Sequence, residues 1–206
     1  MNRLLPLGIT ALAILALAML FLLIGPALQI APIQPPEELQ PYSKAELRGR
    51  AHYVGLGCVY CHSQQPRESS QAPDQARGWG RASTPADYVY DQPHQLGTMR
   101  TGPDLFNIGQ RQPSRAWQLT HLYAPRAVQP DSIMPAFPFL FETKDSADAD
   151  DVVVDVPEAF RPNGEVVVAR QAALDLVDYL LSLDHSYPAA HEELRDNGYR
   201  RDRDTP

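Results

Sequence analysis

Both cysteines of this 206-residue chain fall in one pentapeptide, Cys58-Val59-Tyr60-Cys61-His62. Two thiols three positions apart can add to the two vinyl groups of one porphyrin, and His62 can then reach the iron from one face. The Cys-x-x-Cys-His spacing therefore predicts one covalent haem c. A zinc site would need two more soft ligands, and no further cysteines exist. A thioredoxin-like dithiol does not need the adjacent histidine and usually sits in a βαβ setting.

Iron held by one histidine either stays open to small ligands or is closed by a second side chain. Met1 and Met19 belong to the N-terminal apolar end, which leaves Met99 and Met134. Met134 sits in Ser132-Ile133-Met134-Pro135-Ala136-Phe137, a Pro-bounded loop well downstream of His62, and is the expected axial ligand. Met99 directly precedes Arg100-Thr101-Gly102-Pro103-Asp104-Leu105. This run resembles the Gly-Pro-x-Leu segment that packs on the histidine side in cytochromes c. There a backbone carbonyl can accept the Nδ1 proton of the axial histidine, which puts Pro103 beside the haem and Met99 on the wrong side. A bis-histidine site would draw on His94 or His121. Arg100 and Arg126 flank the expected wrapping segments and are candidates to pair with haem propionates. Closure by histidine and methionine favours Fe(II), raises the potential relative to bis-histidine haem, and suits one-electron transfer.

Those residues need elements to position them. Ser43 with Glu46 forms a capping box for a helix over 43–57, with Gly49, Tyr53 and Leu56 along one face. Residues 63–139 are rich in Pro and Gly and read as loops and short helices around a cofactor. Within them, 114–123 is the best helix, with Trp117 and His121 at i, i+4. Residues 170–183 form the clearest amphipathic helix, apolar at Ala172, Ala173, Leu176, Tyr179, Leu180 and Leu183. Between lies an acidic stretch. Its valine runs 152–154 and 166–168, separated by a Pro162-Asn163-Gly164 turn signal, suggest a short hairpin.

Residues 4–24 carry no charge and are long enough to cross a bilayer. A cleaved signal peptide would have a shorter apolar region and a small-residue cleavage site. Arg3 before the span, with Glu37 and Glu38 after it, orients the N-terminus to the cytoplasm. Pro32, Pro35, Pro36 and Pro41 then predict an extended spacer. The net charge of −7 argues against nucleic-acid binding. Residues 135–206 carry seven basic and sixteen acidic side chains, so the acidity lies behind the haem motif and not around it.

Several motifs follow in order: Gly57-Cys58-Val59-Tyr60-Cys61-His62-Ser63-Gln64, Tyr90-Asp91-Gln92-Pro93, Gly97-Thr98-Met99-Arg100-Thr101-Gly102-Pro103-Asp104-Leu105, His121-Leu122-Tyr123-Ala124-Pro125-Arg126 and Ser132-Ile133-Met134-Pro135. The set resembles the mono-haem subunit II of cbb3-type cytochrome c oxidases from Tyr42 to Phe141. The resemblance implies a periplasmic haem domain docked on a haem–copper catalytic subunit in the bacterial inner membrane. A di-haem cytochrome c subunit or a soluble cytochrome c would be the electron donor. It assigns the thioethers to Cys58 and Cys61 and the iron to His62 and Met134. Leu96 stands where the family has Trp, Arg77-Gly78-Trp79-Gly80 is shifted from the usual Arg-Tyr-Gly, and the acidic segment after Lys144 is unfamiliar. The small subunit of a nitric oxide reductase shares the anchor-plus-haem plan. A membrane-tethered shuttle without an enzyme partner, or a thiol or copper protein without haem, are the other readings.

The expected fold is mostly α: one N-terminal transmembrane helix followed by a class I cytochrome c-like haem domain. Residues 1–30 would be the anchor, 31–41 the linker and 42–184 the haem domain with an acidic insertion at about 145–165. Residues 185–206 would be a polar tail.

Overall fold

The computed structural model describes residues 4–162 and 164–189. Expectations about Met1, Arg3, Asn163, His191 and the tail beyond Ala189 fall outside the described residues.

Helix α1 spans Leu4–Ile30, 27 residues long and apolar enough to cross a membrane. At ~1.5 Å per residue it extends roughly 40 Å. None of its residues is buried within the protein, so its apolar surface needs lipid or a partner to cover it. It continues through Gly25-Pro26, past the uncharged stretch ending at Ile24. A π-type turn at Leu20–Ile24 precedes Pro26. Proline offers no N–H to the preceding turn, and a widened turn absorbs that loss without ending the helix.

Helix α2, Lys44–Gly55, opens on the expected capping box. The Ser43 hydroxyl accepts from the Glu46 N–H, and the Glu46 carboxylate accepts from the Ser43 N–H at 2.6 Å. Gly57, at φ +74°, turns the chain into the tight turn Cys58–Tyr60. Three short helices follow: α3 (Ile108–Arg111), α4 (Arg115–Tyr123) and α5 (Pro125–Val128). The long helix α6, Gln171–Ser182, closes the domain against α2.

Gly49 lets the α2–α6 crossing form. A Cβ there would lie 1.8 Å from the Asp175 carbonyl oxygen and 2.8 Å from Tyr179 Cβ. Arg48 grips Asp175 through Nε at 2.7 Å and Nη2 at 2.8 Å. The Tyr53 and Tyr179 rings pack 5.4 Å apart. Leu105, Ile108, Leu119, Leu122, Leu176 and Leu180 continue this core towards the Cys58 turn.

Strand β1, Phe141–Lys144, pairs antiparallel with β2, Val166–Ala169, in the register Phe141↔Ala169. The valine run at 152–154 meets the other edge of β2 through one bridge, Val153↔Val168. The expected hairpin between the two valine runs is thus a minor contact, and the main partner of β2 is Phe141–Lys144. That pairing buries Phe141, Val167 and Val168 together. Lys144 reaches Asp148 at 2.9 Å and Asp151 at 2.8 Å, closing the acidic loop on itself.

His185 and Tyr187, just beyond Asp184, pack on the domain. The His185 ring stacks on Phe106 at 4.0 Å, and the Tyr187 hydroxyl donates to Asp87 at 3.0 Å. An aromatic ring and a hydroxyl with a buried carboxylate to bond hold these residues on the domain, although their neighbours in sequence are polar.

Candidate functional site

The Cys58–Tyr60 turn is closed by the Cys61 and His62 N–H groups, which donate to the Cys58 carbonyl at 3.1 and 2.9 Å. It leaves Cys58 half-buried against the core and Cys61 exposed. Burial pushes the Cys58 thiol up to about 11.

His62 Nδ1 lies 2.7 Å from the Pro103 carbonyl oxygen. A carbonyl only accepts, so Nδ1 carries the proton and Nε2 keeps its lone pair for a metal. Burial lowers the His62 pKa, opposed by this hydrogen bond, and favours the neutral imidazole that ligation needs. The close approach depends on Gly102, where a Cβ would lie 2.3 Å from His62 Cε1 and 2.8 Å from Nε2. Backbone bonds on either side fasten the two segments: Gly102 N–H to Cys61 O at 2.9 Å and Leu105 N–H to Ser63 O at 2.8 Å.

A cavity of about 400 Å³ opens between His62, Gly102 and Pro103 on one side and Met134 on another. An apolar recess of about 80 Å³ adjoins it, lined by Cys58, Leu105, Leu122 and Leu176, and shares His62, His121 and Met134 with it. Met134 is held by a loop whose Phe137 N–H donates to Leu122 O of α4 at 2.9 Å. Its own N–H donates to Ser132 Oγ at 3.2 Å. One connected cleft therefore touches both thiols, an imidazole with a free Nε2 and a thioether. Its volume suits a sizeable, mostly apolar ligand. These nitrogen and sulfur donors, and the glycine cradle against His62, fit a haem.

The other candidates are placed differently. Arg100 donates to Gln65 O and to Asp74 Oδ2, each at 2.8 Å, and lies over the Trp79 ring. It does not line the cleft. Arg126 is exposed on α5, with no ion pair among the described residues. Met99 is exposed away from the cavity, and His94 bonds the Asp91 carbonyl. His121 does line the cleft, its ring 4.5 Å from that of Trp117. Burial, reinforced by His62, lowers His121 to about 4 and keeps it uncharged at neutral pH. Its i, i+4 spacing from Trp117 on α4 was the sequence signal for this pairing.

Asp104 emerges only from the structure. It is fully buried and accepts from Ser63 Oγ at 2.5 Å and from the Gln65 and Phe106 N–H groups at 2.8 Å. The Asp91 of the Tyr90-Asp91-Gln92-Pro93 motif also has a structural role. It pairs with Arg50 of α2 at 2.6 Å and tethers the wrapping loop to that helix.

An apolar helix long enough to span a bilayer, followed by a helical domain whose cleft fits haem, defines a candidate membrane-anchored haem protein. The chain belongs to the family of cytochrome c oxidase mono-haem subunits, FixO, whose family model matches residues 3–163. Membership carries with it one haem and a place in a cytochrome oxidase complex. No curated protein matches the chain.

Proposed function

We propose that this chain is a membrane-anchored c-type cytochrome that relays electrons to the haem–copper catalytic subunit of a terminal oxidase. The observation that carries this reading is the His62 contact: Nδ1 lies 2.7 Å from the Pro103 carbonyl oxygen, and His62 lines the cleft that Met134 also lines. A haem bound there supplies one-electron chemistry at its iron. Cys58 and Cys61 would hold it through thioethers, and His62 and Met134 would supply the nitrogen and sulfur ligands to its iron. Ligated by both side chains, the iron would serve electron transfer and would leave oxygen chemistry to another subunit. Cys61, Ile133 and Pro135 line the cleft and are exposed, so electrons could enter or leave a group bound there.

The haem domain has a class I cytochrome c-like arrangement, with α2 and α6 crossing at Gly49 beside the Cys-x-x-Cys-His turn. The helix α1 holds it on the periplasmic face of the bacterial inner membrane. A di-haem cytochrome c subunit or a soluble cytochrome c supplies the electrons. Family membership favours this oxidase setting over a nitric oxide reductase or an unpartnered shuttle.

Purification in mild detergent with metal and haem analysis tests the assignment. A co-purifying partner with copper and haem b is the expected result. A partner with non-haem iron would point to nitric oxide reduction, and no partner would point to a free shuttle.

A further inference from the structure

Asp104 is a carboxylate with no exposed surface, one residue after the carbonyl that accepts the His62 proton. It gathers three donors: Ser63 Oγ–H at 2.5 Å and the N–H groups of Gln65 and Phe106, each at 2.8 Å. Ser63 immediately follows His62. The carboxylate therefore bridges the segment that carries the imidazole to the segment that carries its hydrogen-bond acceptor. Every one of these bonds is donated to Asp104, which suits a carboxylate and not a carboxylic acid. Burial raises the carboxyl above its usual range, opposed by these donors and by the nearby Arg111. Arg111 also donates to the Asp104 backbone carbonyl, and Arg100 Nη2 stands 3.9 Å from Oδ2.

We infer that Asp104 is the positioning residue of the axial histidine, holding the His62–Pro103 hydrogen bond closed and lowering the haem potential through its buried charge. The inference rests on the haem reading given above. Two physical effects act in the same direction. A firm Nδ1–H···O=C bond makes the imidazole a better electron donor to iron and favours Fe(III). A buried negative charge nearby also favours the more positive, oxidised centre, because the interior screens it weakly. Loss of either raises the potential. Hydrogen bonds of this kind are strong when the acceptor is charged, and a buried partner left unpaired is costly.

The test uses the full, haem-loaded chain and two readouts. One is the midpoint potential by redox titration. The other is exchange of the His62 Nδ1–H in the ferrous protein, followed by proton magnetic resonance. Asp104→Asn keeps the shape and removes the charge. It should raise the potential and speed exchange by about tenfold, because it weakens all three charge-assisted bonds at once. Ser63→Ala cuts only the side-chain tie and keeps the carboxylate. It should speed exchange by about threefold, and it serves as the decisive variant if Asp104→Asn takes up no haem. Asp104→Glu, which restores charge, should return the potential towards that of the parent chain. Unchanged exchange and potential in the haem-loaded variants would overturn the positioning role and leave the haem assignment standing. Absence of covalent haem from the parent chain itself would instead overturn the haem assignment, and with it the positioning role.

Discussion

On the His62 side of the cleft, residues 61–65 and 102–105 are joined by backbone bonds, a ring-to-carbonyl bond and a buried carboxylate. On the Met134 side, the thioether sits in a loop fastened by Ser132 Oγ and, three residues on, by Leu122 O. Ile133 beside Met134 is 73% exposed, whereas Asp104 beside Pro103 is 0% exposed. A ligand held by many buried bonds is fixed before the metal arrives. A ligand on a lightly tied loop is brought into place by the bond it forms. The His62 wall should therefore resist change in geometry and fail abruptly when forced, while the Met134 wall should tolerate substitution and answer mainly in its potential.

The Cys58–Tyr60 turn adjoins the His62 wall, and loss of its cysteine pair has the largest expected effect. Replacing Cys58→Ser and Cys61→Ser together should leave no covalent haem. All pigment should then extract into acidic acetone, and retained c-type haemochrome in the denatured double variant would contradict the thioether assignment.

Gly102→Ala strikes the fastened wall directly, because the added Cβ falls 2.3 Å from His62 Cε1. Overpacking of this kind costs about 1–3 kcal/mol, and the ring must leave Pro103. Thermal unfolding and the low-spin fraction of the haem should both fall. Ile133→Ala on the other wall should change stability by about 0.5 kcal/mol or less. Equal effects at the two positions would break the contrast.

Arg100→Gln separates two roles for this arginine. It would leave the buried Asp74 with Arg67 at 3.4 Å as its remaining ion-pair partner. A loss of about 2 kcal/mol is expected from the broken charge-assisted bond, with the haem spectrum unchanged. A shifted potential at unchanged stability would instead favour the propionate contact predicted from sequence.

The gentlest change is Met134→His. The loop should accept it, the haem should remain low-spin, and the potential should drop, since imidazole favours Fe(III) more than thioether does. An unaltered potential with an intact methionine–iron charge-transfer band would remove Met134 from the site.

What could be read from the sequence was set by local rules. The Ser43–Glu46 box, the apolar stripe of α6 and the Cys-x-x-Cys-His turn each depend on residues within a few positions of one another. The Gly102–Pro103 contact was legible because its motif is short and lies on one loop. Long-range pairings were not. Nothing near Phe141 signals that its partner is Ala169, and the valine run was the more obvious candidate. Asp104 looks like one more loop acid until folding brings Ser63 to it from 41 residues away. Arg100 was placed near propionates by its position, yet Asp74 takes its guanidinium. Helix α1 passes through Gly25-Pro26 because a π-type turn accommodates the proline, a solution no residue count reveals.

The central claim is that His62 and Met134 close the iron from opposite sides, making the chain a relay and not a site of oxygen chemistry. The most direct test is a carbon monoxide difference spectrum of the isolated, fully reduced chain. A closed iron predicts little or no spectral change on adding the gas. Rapid, stoichiometric carbon monoxide binding by the intact chain would show an open coordination position and contradict the account.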